Sequence, residues 1–178
     1  MHPGIERLRL ILPPPVGGGD DIDWEAEEER LALVFPSDYK EFVRIYGGGS
    51  VAGYLAIATP SVSESPYSEI SDWQPIELGA QEHRGLRDVS LGIRDRLILV
   101  GVTASSDAIF WHANEGEANS WNIVVCTRDV ERGENPWKYY RMGFSGFVAS
   151  LIDGSVENPF GMDDFPGRNP TYMSWRGN

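Results

Sequence analysis

The side chains of this sequence that could do chemistry are scattered. The three histidines, His2, His83 and His112, lie far apart, and none has a second ligand at helical or turn spacing, as a metal site requires. His112 follows Trp111 near the expected end of a strand, where a structural imidazole is favoured over a ligand or a base. The histidines therefore predict no metal site, and no cofactor is expected.

The serine, cysteine and glycine motifs also lack a catalytic context. "GFSGF" at 143–147 is similar to a nucleophile elbow, but Phe147 stands where that motif requires glycine, so Ser145 is interpreted as a helix cap. Cys126 lies in the apolar run "WNIVVCTR", where a free thiol is expected to pack as a small hydrophobe. "GGG" at 47–49 follows a predicted helix instead of preceding one, which indicates a helix stop and turn and not a phosphate loop.

Carboxylates are the abundant chemical group. The 27 Asp and Glu outnumber the 15 Lys and Arg, giving a net charge of −12. This charge disfavours direct nucleic-acid binding and favours encounter with a basic protein. The acids expected to steer or contact such a partner cluster before and within one helix, with two more in a hairpin loop: Asp20, Asp21, Asp23, Glu25, Glu27, Glu28, Glu29, Glu115 and Glu117. A merely solvated acidic helix is the alternative interpretation of the same cluster.

Apolar spacing predicts three helices that position these acids. Ile5, Leu8 and Leu12 mark the first, which the prolines at 13–15 must end. The second is expected to begin at Asp23, with Trp24 and Leu31 on one face. The third lies in "FPSDYKEFVRIYGGG", where Ser37 and Asp38 supply the start, Gly47 the stop, and the apolar stripe is Tyr39, Phe42, Val43 and Tyr46.

The rest of the chain predicts a sheet and one more helix. A strand is expected in "GYLAIAT" at 53–59, and an antiparallel meander in the runs 97–103, 107–113, 121–128 and 137–141. Residues 61–96 are predicted to form a loop with one short helix, and "FSGFVASLIDG" is predicted to form a helix that stops at Gly154. An irregular tail is expected over 155–178, anchored by Phe160, Phe165, Tyr172 and Trp175. The fold class is therefore α+β, one domain over 1–178, with N-terminal helices and a C-terminal helix packed on an antiparallel sheet.

Neither a secretion signal nor a membrane span is indicated. The first dozen residues contain Glu6, Arg7 and Arg9, and no later run approaches the ~20 apolar residues of a spanning helix. A soluble, cytoplasmic protein is expected.

The ordered motifs resemble the Smi/Knr-type branch of the SUKH superfamily. "LRLILPPP", "DWEAEEERL", "FPSDYKEFVRIYGGG", "GYLAIATP", "GVTASSDAIFW", "WNIVVCTR" and "GFSGFVASLIDG" carry the resemblance, roughly from Leu8 to Gly154. The positions that match the family as scaffold are Trp24, Pro36, Asp38, Tyr39, Gly47 and Trp111. One departure is Ala32, where the family has glycine; a left-handed alanine is costly, so the second helix is expected to end differently.

The resemblance implies a binding protein without catalysis. Bacterial members of the superfamily act mostly as immunity proteins that neutralise a polymorphic toxin, often a nuclease, and a fungal member regulates cell-wall synthesis. The implied partner is a cognate, basic toxin protein. Two alternatives stay open: a housekeeping interaction domain without a toxin partner, and a hydrolase that uses scattered acids and His112. The sequence does not predict an oligomeric state.

Overall fold

The computed structural model describes residues 1–60, 96–113, 116–131 and 133–176. These residues form four α-helices: α1 (Pro3–Ile11), α2 (Trp24–Leu31), α3 (Ser37–Tyr46) and α4 (Phe144–Ile152). The strands are β1 (Gly49–Val51), β2 (Leu55–Ile57), β3 (Arg96–Thr103), β4 (Ala108–Ala113), β5 (Asn122–Cys126), β6 (Trp137–Tyr140) and β7 (Tyr172–Ser174). The expectations for 61–95, for His83 and for Glu115 lie outside the described residues.

The strands form one antiparallel sheet in the order β6-β5-β4-β3-β2-β1-β7. The meander predicted in the second half is confirmed as β3 to β6, and the α+β class is confirmed with it. None of the helices within the described ranges is long and apolar enough to span a membrane.

The strand β1 was not predicted, because its first residue belongs to the glycine run assigned to a turn. A Cβ at Gly49 would lie against the carbonyl oxygen of Met173 and 2.6 Å from the ring of Tyr172. Glycine at this position therefore lets β7 approach β1 closely, whereas Gly47, with a φ of 69°, makes the turn after α3.

The segment expected to be irregular contains β7, which pairs with β1 through Ser50 and Met173. Tyr172 holds it in place: its hydroxyl donates to the carbonyl oxygen of Gly47 at 2.6 Å, and its ring lies 5.1 Å from that of Tyr46. Burial raises the pKa of Tyr172 well above its ordinary value, with the nearby charge of Asp20 as a second cause. The tail is thus part of the sheet and the core.

The main core lies between the helices and one face of the sheet. Its centre is aromatic: the ring of Tyr39 in α3 lies 4.8 Å from that of Trp111 in β4 and 5.4 Å from that of Phe144 in α4. A smaller cluster on the opposite face comprises Leu97, Phe110, Val124 and Trp137. Cys126 is only partly buried and packs against that smaller cluster, not in the main core.

The expectation that α2 would end differently at Ala32 is wrong. Ala32 adopts the left-handed conformation, with φ 50° and ψ 41°. Two backbone hydrogen bonds close this end of the helix. The N–H of Ala32 donates to the carbonyl oxygen of Glu29 at 3.3 Å, and the N–H of Leu33 donates to that of Glu28 at 3.1 Å. Because Phe35 just beyond is buried in the core, packing fixes the exit of the chain and offsets the strain, about 1–2 kcal/mol.

Candidate functional site

The acidic cluster lies on α2 and on the four residues before it. Asp23 is the N-cap, as predicted, and its carboxylate accepts the N–H of Ala26 at 3.2 Å. Trp24 anchors the helix, because its ring lies 5.3 Å from that of Phe35 and 5.9 Å from that of Tyr39. With this face held on the core, the other faces of α2 turn to solvent.

Asp20 differs from the other described acids of this cluster because it is buried, with 2% of its surface exposed. One carboxylate oxygen accepts the N–H of Gly48 at 2.7 Å, and the other lies 2.5 Å from Nε of Arg176. Asp20 therefore ties three parts of the chain together: the segment before α2, the turn after α3 and the residues after β7. Sequence reasoning missed this positioning role because no local pattern connects Asp20 with Arg176.

Two acids of α2 are engaged within the chain. Glu28 pairs with Lys40 at 2.5 Å and accepts the N–H of Phe35 at 2.8 Å, and Glu27 pairs with Arg30 at 2.6 Å. The contacts of Glu28 orient α2 against α3, whereas Glu27 neutralises a cation of its own helix. Their charge is therefore partly compensated before any partner arrives.

The remaining four acids form an exposed set, the acidic ridge: Asp21, Asp23, Glu25 and Glu29. Within the described part of the chain no cation pairs with any of them. Glu25 and Glu29 lie one helical turn apart, where like charges destabilise a helix by about 0.2–0.5 kcal/mol. The ridge thus carries negative charge that no cation of the described residues neutralises.

Glu117 lies in the loop between β4 and β5 and is exposed. It precedes a single 3-10 turn, Ala118–Ser120, in which Asn119 accepts the N–H of Ser37 at 2.7 Å. This bond places the loop at the N-terminus of α3. The described residues show no hydrogen bond or ion pair between Glu117 and the acidic ridge.

The interpretation of Ser145 as a helix cap is wrong. The N-cap of α4 is Gly143, and Ser145 is the second helical residue. Its N–H and its hydroxyl both donate to the carboxylate of Asp38, at 2.8 and 2.9 Å, so Asp38 caps α4 from α3. Asp38 does not cap its own helix: the N-cap of α3 is Pro36, and the first N–H of α3, that of Ser37, is bonded by Asn119 instead.

His2 also approaches Ser145, with Nδ1 3.1 Å from the hydroxyl oxygen. The arrangement is not a catalytic triad, because Asp38 contacts the serine and not the imidazole. Ser145 is moreover fully buried. His112 lies in β4 with Nδ1 3.4 Å from the hydroxyl of Tyr139. Across the described ranges no group of three or more His, Cys, Asp and Glu could hold a metal ion.

The other scaffold positions hold the core. The hydroxyl of Tyr39 donates to the carbonyl oxygen of Ala58 at 2.6 Å, which joins α3 to the end of β2. Burial raises the pKa of Tyr39 well above its ordinary value. Trp111 is fully buried beneath this tyrosine. These residues form the packed core that holds α2, and with it the acids, at the surface.

A family model described as SMI1 / KNR4 family (SUKH-1) matches residues 18–150 of the chain. The matched range contains the acidic cluster, α2, α3 and the strands β1 to β6, whereas α1 precedes it and β7 follows it. Neither the curated proteins nor the solved structures gave a match.

Proposed function

The chain belongs to the SMI1 / KNR4 (SUKH-1) family, and from this membership we propose that it is a non-enzymatic immunity protein that neutralises a cognate toxin. The proposed toxin is a basic protein of the nuclease class. The chain binds it and blocks it without breaking a covalent bond, and it does so in the cytoplasm.

The acidic ridge is the observation that supports this proposal. Its carboxylates are exposed and lack cations within the described residues, so their charge is available to a partner. A nuclease surface that binds phosphates carries arginine and lysine, which pair with carboxylates in the same way. The net charge of −12 adds long-range attraction, which raises association rates by about 10- to 1,000-fold.

We assign different roles to the predicted contact residues. Asp21, Asp23, Glu25 and Glu29 contact the partner, Glu117 contributes from the neighbouring loop, and Glu27 and Glu28 hold α2 in place while adding to its field. Asp20 positions the segment from inside the protein, since its carboxylate is buried.

The test uses the protein encoded by the adjacent gene as the probe and measures its association with the chain at several salt concentrations. The variant is the triple change Asp21→Asn, Glu25→Gln and Glu29→Gln. We expect its association at low salt to slow by about tenfold and its salt dependence to flatten, because steering charge is lost.

A matched control removes three exposed acids from the loop between β5 and β6, through Asp129→Asn, Glu131→Gln and Glu134→Gln. Both triple variants change the net charge by the same amount, so only the position differs. Equal effects of the two would remove the ridge from the interface. If the adjacent gene product does not bind, and its activity is not inhibited by the chain, the immunity role is refuted.

A further inference from the structure

The strand β7 is one of the two edges of the sheet, with β1 on its inner side. The N–H of Ala52 donates to the carbonyl oxygen of Thr171 at 2.8 Å, and the N–H of Trp175 donates to that of Gly48 at 3.0 Å. In an antiparallel pair such bonds recur at every second residue. Thr171, Met173 and Trp175 therefore direct their backbone polar groups toward β1.

By the same alternation, Tyr172 and Ser174 direct their N–H and C=O groups away from β1. Among the described residues no backbone hydrogen bond from another segment reaches these groups. An edge of this kind is a template for a further strand unless the protein blocks it. On β7 the chain places neither a charged side chain nor a proline.

A groove of about 370 Å³ runs along this edge, between Pro13–Val16 and Thr171–Ser174. Four consecutive residues of the β7 side line it, whereas a groove on a face of the sheet would expose alternate residues. The opposite wall consists of three prolines and a valine, and the prolines have no N–H to donate to the edge. Val16 is fully exposed and Met173 is 57% exposed, so apolar surface is available on both sides.

The residues that line the groove carry no charge, so we compare its possible occupants by the charge of the surface beyond it. From Val16 the chain continues through three glycines to Asp20, and Arg176, two residues after β7, pairs with Asp20. One end of the groove therefore opens beside the start of the acidic ridge. A second copy of this chain would bring another net charge of −12 to the same place, whereas a basic segment complements it.

We propose that this groove receives an extended, basic segment of the protein partner, which adds to β7 as a further strand. The inference rests on the proposed function, since it specifies how the partner of the acidic ridge is held. Backbone hydrogen bonds to Tyr172 and Ser174 supply the pairing, apolar side chains of the segment lie between Val16 and Met173, and basic side chains reach the ridge.

The test uses three synthetic peptides as probes: Ac-KVKVKV-NH2, its acidic counterpart Ac-EVEVEV-NH2, and the basic peptide with every backbone amide between its residues N-methylated. This N-methylated peptide keeps the charge and the side chains but has no backbone N–H between its residues, on either edge, with which to pair with β7. Binding is followed by amide NMR shifts and by hydrogen exchange of the full chain. We expect the basic peptide to slow exchange at the amides of Tyr172 and Ser174, and N-methylation to weaken its binding by about tenfold or more.

A substitution in the protein gives an independent readout. Ser174→Pro removes an outward N–H while sparing the bonds of Met173 and Trp175 to β1, so we expect weaker peptide binding with an unchanged unfolding midpoint. Ser174→Ala is the matched control and keeps binding. If Ser174→Pro lowers stability, the N-methylated peptide still decides the question, because it leaves the protein untouched.

Three results would overturn the proposal: equal binding of the N-methylated peptide, equal binding of the acidic peptide, or a dimer of the chain that Ser174→Pro dissociates in sedimentation. The first assigns the attraction to charge alone and the last assigns the edge to a second copy. None of these results depends on the toxin, so failure here is distinct from failure of the association test on the acidic ridge.

Discussion

Replacing Asp38 with alanine removes the cap that α3 provides for α4. Its carboxylate accepts two hydrogen bonds from Ser145, at 2.8 and 2.9 Å, and is 5% exposed. Hydrogen bonds to a charged group contribute about 1.5–3 kcal/mol each, and a lost helix cap costs about 1 kcal/mol. Because both bonds share one oxygen and these values overlap, we expect Asp38→Ala to lower the free energy of unfolding by about 3 kcal/mol.

The assay is equilibrium unfolding in urea, followed by tryptophan fluorescence, since Trp111 and Trp121 lie in the core. Asp38→Asn is the matched control. It keeps an acceptor oxygen for the N–H of Ser145 but loses the charge that faces the N-terminus of α4, so we expect a loss of about 1–2 kcal/mol.

A double-mutant cycle with Ser145→Ala separates the hydroxyl bond from the backbone bond. We expect the two substitutions to couple by more than about 0.5 kcal/mol, because the side chains are in direct contact. A loss below about 0.5 kcal/mol for Asp38→Ala is typical of a surface substitution that removes no cap and no buried hydrogen bond, and it would show that Asp38 does not stabilise α4.

Two further predictions concern backbone strain and pH. Ala32→Gly is expected to stabilise the protein by about 0.5–1 kcal/mol and to raise its melting temperature by about 1–4 °C, because the left-handed conformation suits glycine. Ala26→Gly, in the first turn of α2, is the contrasting change and is expected to lower the melting temperature. A melting temperature lowered by both substitutions would contradict the strain at position 32. Burial raises the pKa of Tyr46 and of Tyr140 from 10.0 to about 12, so the folded state favours the neutral phenols. The contribution of these phenols to the free energy of unfolding is therefore expected to be fully present below about pH 10 and to be lost as the pH rises toward about 12. Urea midpoints and phenolate absorbance measure this loss. Titration of both phenols near 10.0 in the folded protein would show the expectation to be wrong.

The elements with a repeating local pattern were predictable from the sequence. The stripe from Tyr39 to Tyr46 has helical spacing, and all four of its residues are buried in the core. The β-branched runs of the meander likewise match β3 to β6. The strands β1 and β7 were not predictable, because each has three residues and depends on its pairing with the other. No local pattern shows that Gly49 serves the approach of Tyr172.

The candidate site was predictable as a cluster but not in its division of roles. Composition locates the acids around α2, whereas their partners come from other parts of the chain: Lys40 for Glu28, and Arg176 for Asp20. The cap that Asp38 provides connects residues 107 positions apart, so neither local sequence could indicate it. The groove along β7 was missed for the same reason, since the strand itself was not predicted.

The pairing of β7 with β1 sets the order in which the protein can be completed during its synthesis. The bond between Tyr172 and Gly47 joins residues 125 positions apart, which at about 5–20 residues per second are made about 6–25 s apart on the ribosome. During that interval the outer edge of β1 has no strand beside it, and Asp20 has no Arg176. The outer edge of β1 and the carboxylate of Asp20 are therefore without these partners until residues 172–176 emerge.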